Sequence, residues 1–388
     1  MEKKIMCLKK FKVDLAYYFS EVLEKPIAKP LWVYISLSHA CTYECQMCGV
    51  VKILKDYELP KETVMKAFDE ISGWGWDLTI VITGGEAFLR KDIFELIDYG
   101  AKRGLKIEVV SNGSLIDQPM AERIIGSGLN NIAISLDGAT EKTHDFIRQK
   151  GAFNKALNAI SHLAAEKLKQ GHGPQISVWT TIMKENVGEL FDIIGLIKDL
   201  GVECLVYHPV IVSQDDMQNT SSNARFWIKG DDLVCLERQI ERISKYQKNN
   251  GLVVFLHDPY LWLGHFKGEL TRHVWKCNPF VFTNIGPDGE LRSCGSAFGN
   301  IKTMSLEECL NTKEAFKARK IMKHCQKPCL QTCWANPDSD SLSGIADSLI
   351  EEINKNSFDE NEKSALLKEA LEALESYEVI LKEKNAKS

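Results

Sequence analysis

The sequence predicts a parallel α/β fold of six βα units, and three observations carry that expectation. Apolar β-like runs alternate with helical patterns from about residue 31 to residue 210. The residues that carry chemistry fall directly after those runs, where parallel sheets place their active sites. The 388 residues are 44% hydrophobic and 26% charged, a globular balance with enough chain for one large domain and a smaller one.

The units follow in order. A strand near 32–38 leads to a helix at 60–73, a strand at 78–83 to a helix at 91–103, and a strand at 106–111 to a helix at 116–126. The strand at 131–136 is followed by a helix at 152–169, the strand at 175–182 by a helix at 187–200, and the sixth strand spans 203–210. Strands that each return through a helix are expected to lie parallel with right-handed crossovers.

Directly after the first strand comes Cys41-Thr42-Tyr43-Glu44-Cys45-Gln46-Met47-Cys48, three thiols within eight residues. A cubane iron–sulfur cluster has four irons to ligate, so three local thiolates leave one iron for a ligand that is not protein. A structural zinc site is the bland alternative, but it asks for four tetrahedral ligands. The second strand runs into Gly84-Gly85-Glu86, where paired glycines allow close backbone approach and a carboxylate can receive an amino group.

Together these residues resemble the radical S-adenosylmethionine (radical SAM) superfamily, marked by Cys-x3-Cys-x2-Cys followed by a Gly-Gly-Glu strand end. The resemblance continues through Ser111-Asn112-Gly113 after strand three, Ser135-Leu136-Asp137-Gly138 after strand four, and His144 to Arg148. Two positions depart from the pattern: Met47 stands where an aromatic is usual before the third cysteine, and Ala87 where a proline is usual after the glutamate. Both keep bulk and apolarity, and they bear on fine positioning of the cofactor.

The resemblance implies a partial (β/α)6 TIM-like barrel, open at one side for substrate. It implies a 4Fe-4S cluster on Cys41, Cys45 and Cys48 that binds S-adenosylmethionine at its open iron and passes it one electron. Glu86 with the Gly84-Gly85 backbone would hold the cofactor's amino group, Ser135 and Arg148 would meet its carboxylate, and Ser111, Asn112 and Asp137 would sit near the ribose. The electron would come from a donor such as flavodoxin or ferredoxin. His208, at the end of the sixth strand, is a weak candidate acid or base, and a histidine merely hydrogen-bonded in place is the equal alternative.

A second thiol-rich region spans residues 277–333. Cys277 and Cys294 flank a hairpin turning at Pro287-Asp288-Gly289, a helical pair follows at 305–324, and Cys325, Cys329 and Cys333 come after it. The spacing Cys277, Gly289, Cys294 is similar to the opening of SPASM and twitch extensions, which hold auxiliary iron–sulfur clusters. Five placed cysteines imply the shorter, twitch-like form: one auxiliary 4Fe-4S cluster on Cys277, Cys294 and two of Cys325, Cys329 and Cys333. Zinc is the alternative occupant, since four thiolates suit it too. Cys309 and the isolated Cys7, Cys204 and Cys235 read as small buried hydrophobes. The aromatic stretch from Tyr260 to Phe266, with Trp262 and His265, reads as interdomain packing or as a cavity wall.

The resulting division is an N-terminal segment 1–30, a barrel core 31–215, a helical connection 216–275, an auxiliary-cluster domain 276–337 and a helical tail 338–388. The tail carries a net charge of −7 against −5 for the whole chain, and its helical spacing predicts docking on the surface or on a partner chain. Net charge and a pI of about 6.1 do not suggest nucleic acid, and no apolar run reaches the ~18 residues of a membrane helix. Without a signal-peptide core at the N-terminus the expected compartment is cytoplasmic, where twelve cysteines are not disulfides.

The resemblance therefore implies an enzyme that forms a 5′-deoxyadenosyl radical and abstracts a hydrogen atom from its substrate. An auxiliary cluster that accepts an electron would make the outcome an oxidation or a bond formation. Only forty residues precede Cys41, fewer than a leader-binding domain needs, which tilts the expectation toward a small molecule of sugar or natural-product type. Maturation of a ribosomally made peptide is the alternative. A non-catalytic metal-binding or regulatory protein is the alternative of another class.

Overall fold

The computed structural model describes residues 2–50, 57–210, 224–249, 253–255, 258–270, 277–325, 330, 341–356 and 358–385. Its centre is one ten-stranded sheet. Strands β1 (Trp32–Ser36), β2 (Thr79–Thr83), β3 (Lys106–Ser111), β4 (Asn131–Ser135), β5 (Gln175–Ile182) and β6 (Cys204–Pro209) are the six expected from sequence, and they lie side by side and parallel in that order. Two further strands extend this parallel set. β7 (Val253–Phe255) pairs with β6, and β8 (Phe282–Ile285) pairs with β1 at the other edge.

β8 begins the hairpin that the sequence places in a separate cysteine-rich unit. Its partners β9 (Glu290–Ser293) and β10 (Ser296–Asn300) follow antiparallel, so the hairpin continues the barrel sheet. β7 adds a strand to a connection read as helical. The apolar run from Leu252 to Leu256 is the sequence signal for it, and the β6 edge supplies its partner.

The first helix α1 (Glu2–Leu23) precedes the sheet. Helices α2 (Lys61–Ser72), α3 (Ile93–Ala101), α4 (Gln118–Ile125), α5 (Glu141–Ile147), α6 (Ala152–Gln170) and α7 (Leu190–Ile197) alternate with the strands. Their apolar spacing explains them: α2 buries Val64, Ala67, Phe68 and Ile71, one face at every third or fourth residue. Asp117 caps α4 by accepting from the Met120 amide, with Pro119 beside it in the first turn. Ile35, Ile80, Ile82, Ile107, Val109, Ile132, Ile134 and Val178 are wholly buried with these helices in one core. The alternate strand positions, Tyr34, Val110, Ser135, Trp179 and Thr181 among them, therefore face the barrel interior.

Beyond β6 come α8 (Asp231–Asn249), α9 (Tyr260–Lys267), α10 (Leu306–Leu310), α11 (Lys313–Lys323), α12 (Leu342–Lys355) and α13 (Glu360–Asn385). α9 holds the aromatic stretch, and it packs: Trp262 is 1% exposed with its ring 5.3 Å from Tyr207, and Trp227 lies against His265 and Phe266. Cys309 is buried in α10, close enough to Gly299 that a Cβ there would lie 2.6 Å from its sulfur.

The acidic tail docks within its own chain. α12 and α13 pack Ile345, Leu349, Ile353, Leu366 and Ala370 against Phe11, Leu15, Phe19 and Leu23 of α1, and Tyr377 stacks on Phe19 at 4.6 Å. The lysine-rich start faces it, with Lys4 to Glu369 at 3.2 Å and Lys10 to Ser348 at 3.0 Å. Exposed pairs like these set register more than stability.

Burial holds three histidines, His144, His208 and His265, well below their ordinary pKa of 6.5, each at about 4. Each stays neutral in the folded protein while the unfolded chain takes up a proton below pH 6.5, so stability falls as pH drops from 6.5 toward 4. Urea unfolding at pH 7 and pH 5 is expected to differ by about 2 kcal/mol per histidine. His144→Gln should remove its share of that difference; an unchanged pH dependence would sink the assignment.

Candidate active site

The loop after β1 is held from below by β2. The Gly85 amide donates to the Ser38 carbonyl at 2.9 Å and the Glu86 amide to the Ala40 carbonyl at 2.8 Å. A Cβ on Gly85 would lie 1.8 Å from the Ala40 oxygen, and one on Gly84, whose φ is +117°, would lie 2.5 Å from the Ser38 oxygen. The paired glycines are thus required by the crossing backbone of the cysteine loop. The loop's far side is also fastened: the Gln46 amide donates to the Ile147 carbonyl at 2.9 Å, and Arg225 donates to the Gln46 side chain at 2.8 Å.

Cys41, Cys45 and Cys48 line one cavity of about 320 Å³ together with Gly84, Gly85, Ser111, Asn112, Ser135 and Arg148. That volume is within the range of small-molecule sites. Tyr43, Met47, Val50, Val110, Thr181 and Val210 complete the wall. Met47, where the family pattern has an aromatic, therefore still supplies apolar lining. Thr181 was not singled out from sequence, although its place at the end of β5 is the signal that could have found it.

Two residues expected at the cofactor are not among those that line this cavity. Glu86 is 1% exposed and spends its carboxylate on protein: Oε1 accepts from Ser111 Oγ at 2.9 Å and from the Phe88 amide at 3.2 Å, and Oε2 accepts from the Asn112 amide at 2.8 Å. Burial pushes its pKa up, against these donors. A carboxylate bonded on both oxygens joins β2 to β3.

Asp137, expected near the ribose, is fully buried. Its Oδ2 accepts from Arg148 Nε at 2.6 Å, its Oδ1 from the Thr181 amide at 2.7 Å, and its own amide donates to His144 Nδ1 at 3.0 Å. It therefore aims Arg148, whose side chain is 11% exposed at the cavity. His144 was read only as part of a run; its buried ring fixes the turn that carries Asp137.

Ser111 and Asn112 reach the cavity but are also engaged. Ser111 Oγ accepts from the Gly113 amide at 3.0 Å while donating to Glu86. Asn112 Nδ2 donates to Thr42 Oγ1 at 3.0 Å and to Cys41 Sγ at 3.7 Å. His208 does not line the cavity, but its register partner Thr181 does, so its ring faces the same interior. The ring lies 4.9 Å from Trp179, Nε2 is shut off from solvent without a partner among the described residues, and burial lowers its pKa to about 4.

The chemistry of the donor set fits an iron–sulfur cluster with S-adenosylmethionine beside it: three thiols at the mouth of a cavity, an arginine held by a buried aspartate, and glycine backbone between them. Burial pushes the Cys41 thiol up and the Cys45 thiol to about 11, so a metal must displace protons there. Among the described residues no three His, Cys, Asp or Glu side chains converge on a single-ion site. A cubane does not ask for that convergence, because each thiolate holds its own iron.

The second thiol group is partly described. Cys277 precedes β8, Cys294 sits at the turn after β9 with a φ of +47°, and Cys325 follows α11. Cys329 and Cys333 lie outside the described residues. Because β8 runs parallel to β1, Cys277 and Cys294 belong to the amino-terminal end of the strands, opposite the cysteine loop.

Residues 35–211 match the Radical SAM superfamily model. Among curated proteins the chain is similar to an AdoMet-dependent heme synthase of Methanosarcina barkeri, 29% identical over 182 residues, 46% of this chain and 50% of that one. It is also similar to the antilisterial bacteriocin subtilosin biosynthesis protein AlbA of Bacillus subtilis, 26% identical over 322 residues, 77% of this chain and 64% of that one. The chain thus spans about half the length of the first of these relatives and under two thirds of the second. The crystal structure of Streptococcus suis SuiB bound to S-adenosylmethionine shares the fold, with a TM-score of 0.60 at 15% identity over 74% of this chain and 66% of that one. Among the described residues no helix is long and apolar enough to cross a membrane.

Proposed function

Since the chain belongs to the radical SAM superfamily, we propose that it is an enzyme that cleaves S-adenosylmethionine reductively and removes a hydrogen atom from an organic substrate. The observation that carries this is the single cavity bordered by Cys41, Cys45, Cys48, Gly84, Gly85 and Arg148. A 4Fe-4S cluster with S-adenosylmethionine supplies a one-electron reductant and, on sulfonium cleavage, a 5′-deoxyadenosyl radical.

The chain's own residues do the rest. The three cysteines would hold iron, and the backbone at Gly84 and Gly85 would meet the cofactor's amino group. Arg148 offers its terminal nitrogens to the carboxylate because Asp137 occupies its Nε. Ser135 and Asn112 border the same pocket, and Met47, Val50, Val110 and Val210 keep water from it. His208 is held neutral by burial, so it meets the interior as an uncharged imidazole.

Cys277, Cys294 and two of Cys325, Cys329 and Cys333 would hold a second cluster, which would supply an electron acceptor for the reaction. The net result is an oxidation or a new bond. The AlbA match extends over three quarters of the chain, which supports a ribosomally made peptide as substrate. The heme synthase match, confined to less than half of the chain, supports a small molecule.

The test is metal analysis of anaerobically reconstituted protein, with S-adenosylmethionine cleavage followed under strong reductant. About eight irons in the native protein and about four in a Cys41, Cys45, Cys48 triple-alanine variant, with 5′-deoxyadenosine formed only by the former, are expected. About four irons falling to none would remove the second cluster from the proposal. No cleavage by a fully loaded native protein would overturn the enzyme itself.

A further inference from the structure

Asn112 is expected from sequence near the ribose, yet its side-chain amide is already committed. Oδ1 accepts from the Ser114 amide at 2.8 Å, which decides which end of the carboxamide is nitrogen. The two hydrogens on Nδ2 then go to Thr42 Oγ1 at 3.0 Å and to Cys41 Sγ at 3.7 Å, a normal reach for an acceptor as large as sulfur. The residue is 7% exposed, and its own amide is tied to Glu86 at 2.8 Å. Glu86 in turn is clamped by Ser111 and Phe88, so the donor is fixed by a buried network rooted in β2 and β3.

From this arrangement we propose that Asn112 sets the reduction potential of the cluster through the Cys41 sulfur. The inference rests on the assignment of Cys41, Cys45 and Cys48 to an iron–sulfur cluster. Adding an electron makes the cluster and its thiolates more negative, and an N–H aimed at a ligating sulfur favours that state over the oxidised one. The backbone amides of Tyr43 and Thr42 also favour the Cys41 thiolate, but they belong to the loop itself. Asn112 reaches this sulfur with a side chain from just beyond the end of β3, so it couples the cluster to the Glu86 network.

The role is one of tuning, and its readout is a potential. Reconstituted protein is titrated with a graded reductant while the reduced cluster is followed by electron paramagnetic resonance. Asn112→Ala is expected to lower the reduced-to-oxidised ratio at a given potential about threefold to tenfold, which is about 30 to 60 mV more negative for a one-electron couple.

Asn112→Leu keeps the side-chain size without adding a charge and removes both donors, so it should shift the same way, and it decides the matter if the alanine variant loads poorly. Thr42→Val removes the other partner of Nδ2 and leaves the sulfur contact, so its potential should stay at the wild-type value. Equal potentials in native protein and both Asn112 variants at full iron content would overturn the proposal. A native protein that holds no reducible cluster would instead overturn the assignment beneath it.

Discussion

Gly85→Ala is expected to cost about 3 kcal/mol or more and to lower iron retention after reconstitution. The added Cβ would lie 1.8 Å from the Ala40 carbonyl oxygen and 2.9 Å from the His39 carbonyl carbon, both backbone, so no side-chain rotation relieves the clash. The loop must lift, and with it go the Gly85 and Glu86 hydrogen bonds that seat Cys41. Gly195→Ala is the control, since a Cβ there meets nothing within 4 Å and alanine favours the α7 helix. The measurements are urea midpoints and iron per chain. A Gly85 variant as stable as the Gly195 variant, with full iron, would show that the loop rests elsewhere.

The second large effect is expected at Asp137. Asp137→Ala leaves Arg148 without its Nε partner and the Thr181 amide without an acceptor in a fully buried place, and removing one member of such a pair costs about 3–5 kcal/mol. Asp137→Asn should cost less in stability, because an amide oxygen can still accept from Thr181, yet it should weaken S-adenosylmethionine binding by releasing Arg148. Calorimetric binding beside thermal unfolding separates the two effects. Unchanged binding in a folded Asp137→Asn protein would falsify the aiming role.

That role shows where reading by sequence was bound to stop. Glu86 and Asp137 sit beside residues that do reach the cavity, and in one dimension a carboxylate next to paired glycines looks like a ligand contact. Their direction depends on partners 25 and 44 residues away: Ser111 for Glu86 and the Thr181 amide for Asp137. Only pairing of the strands brings those partners within bonding distance. Thr181 stands beside Thr180, whose hydroxyl is spent on the Leu136 carbonyl at 2.7 Å, and only its place one residue nearer the end of β5 marks it in the sequence.

The terminal helices make the same point with apolar residues. The tail's helical spacing announced an apolar face, but its partner lay more than three hundred residues away in a lysine-rich segment whose own Phe11, Leu15 and Phe19 spacing is as periodic. Hydrophobic burial is non-directional, so a stripe declares that it will be covered without declaring by what. Contact with α1 answered that.

By itself the sequence determined the six parallel strands, the thiol loop after the first and the chemistry of the cavity mouth. These follow from local periodicity and from residue types whose spacing is short enough to act within one loop. Tertiary structure decided the rest: the two added parallel strands, the hairpin that continues the barrel sheet, the hydrogen bonds that engage Glu86 and Asp137, and the aim of Asn112 at Cys41. Each of these depends on hydrogen-bond donors and acceptors that meet only when distant strands pair, and a buried polar group takes the partner that the fold brings to it.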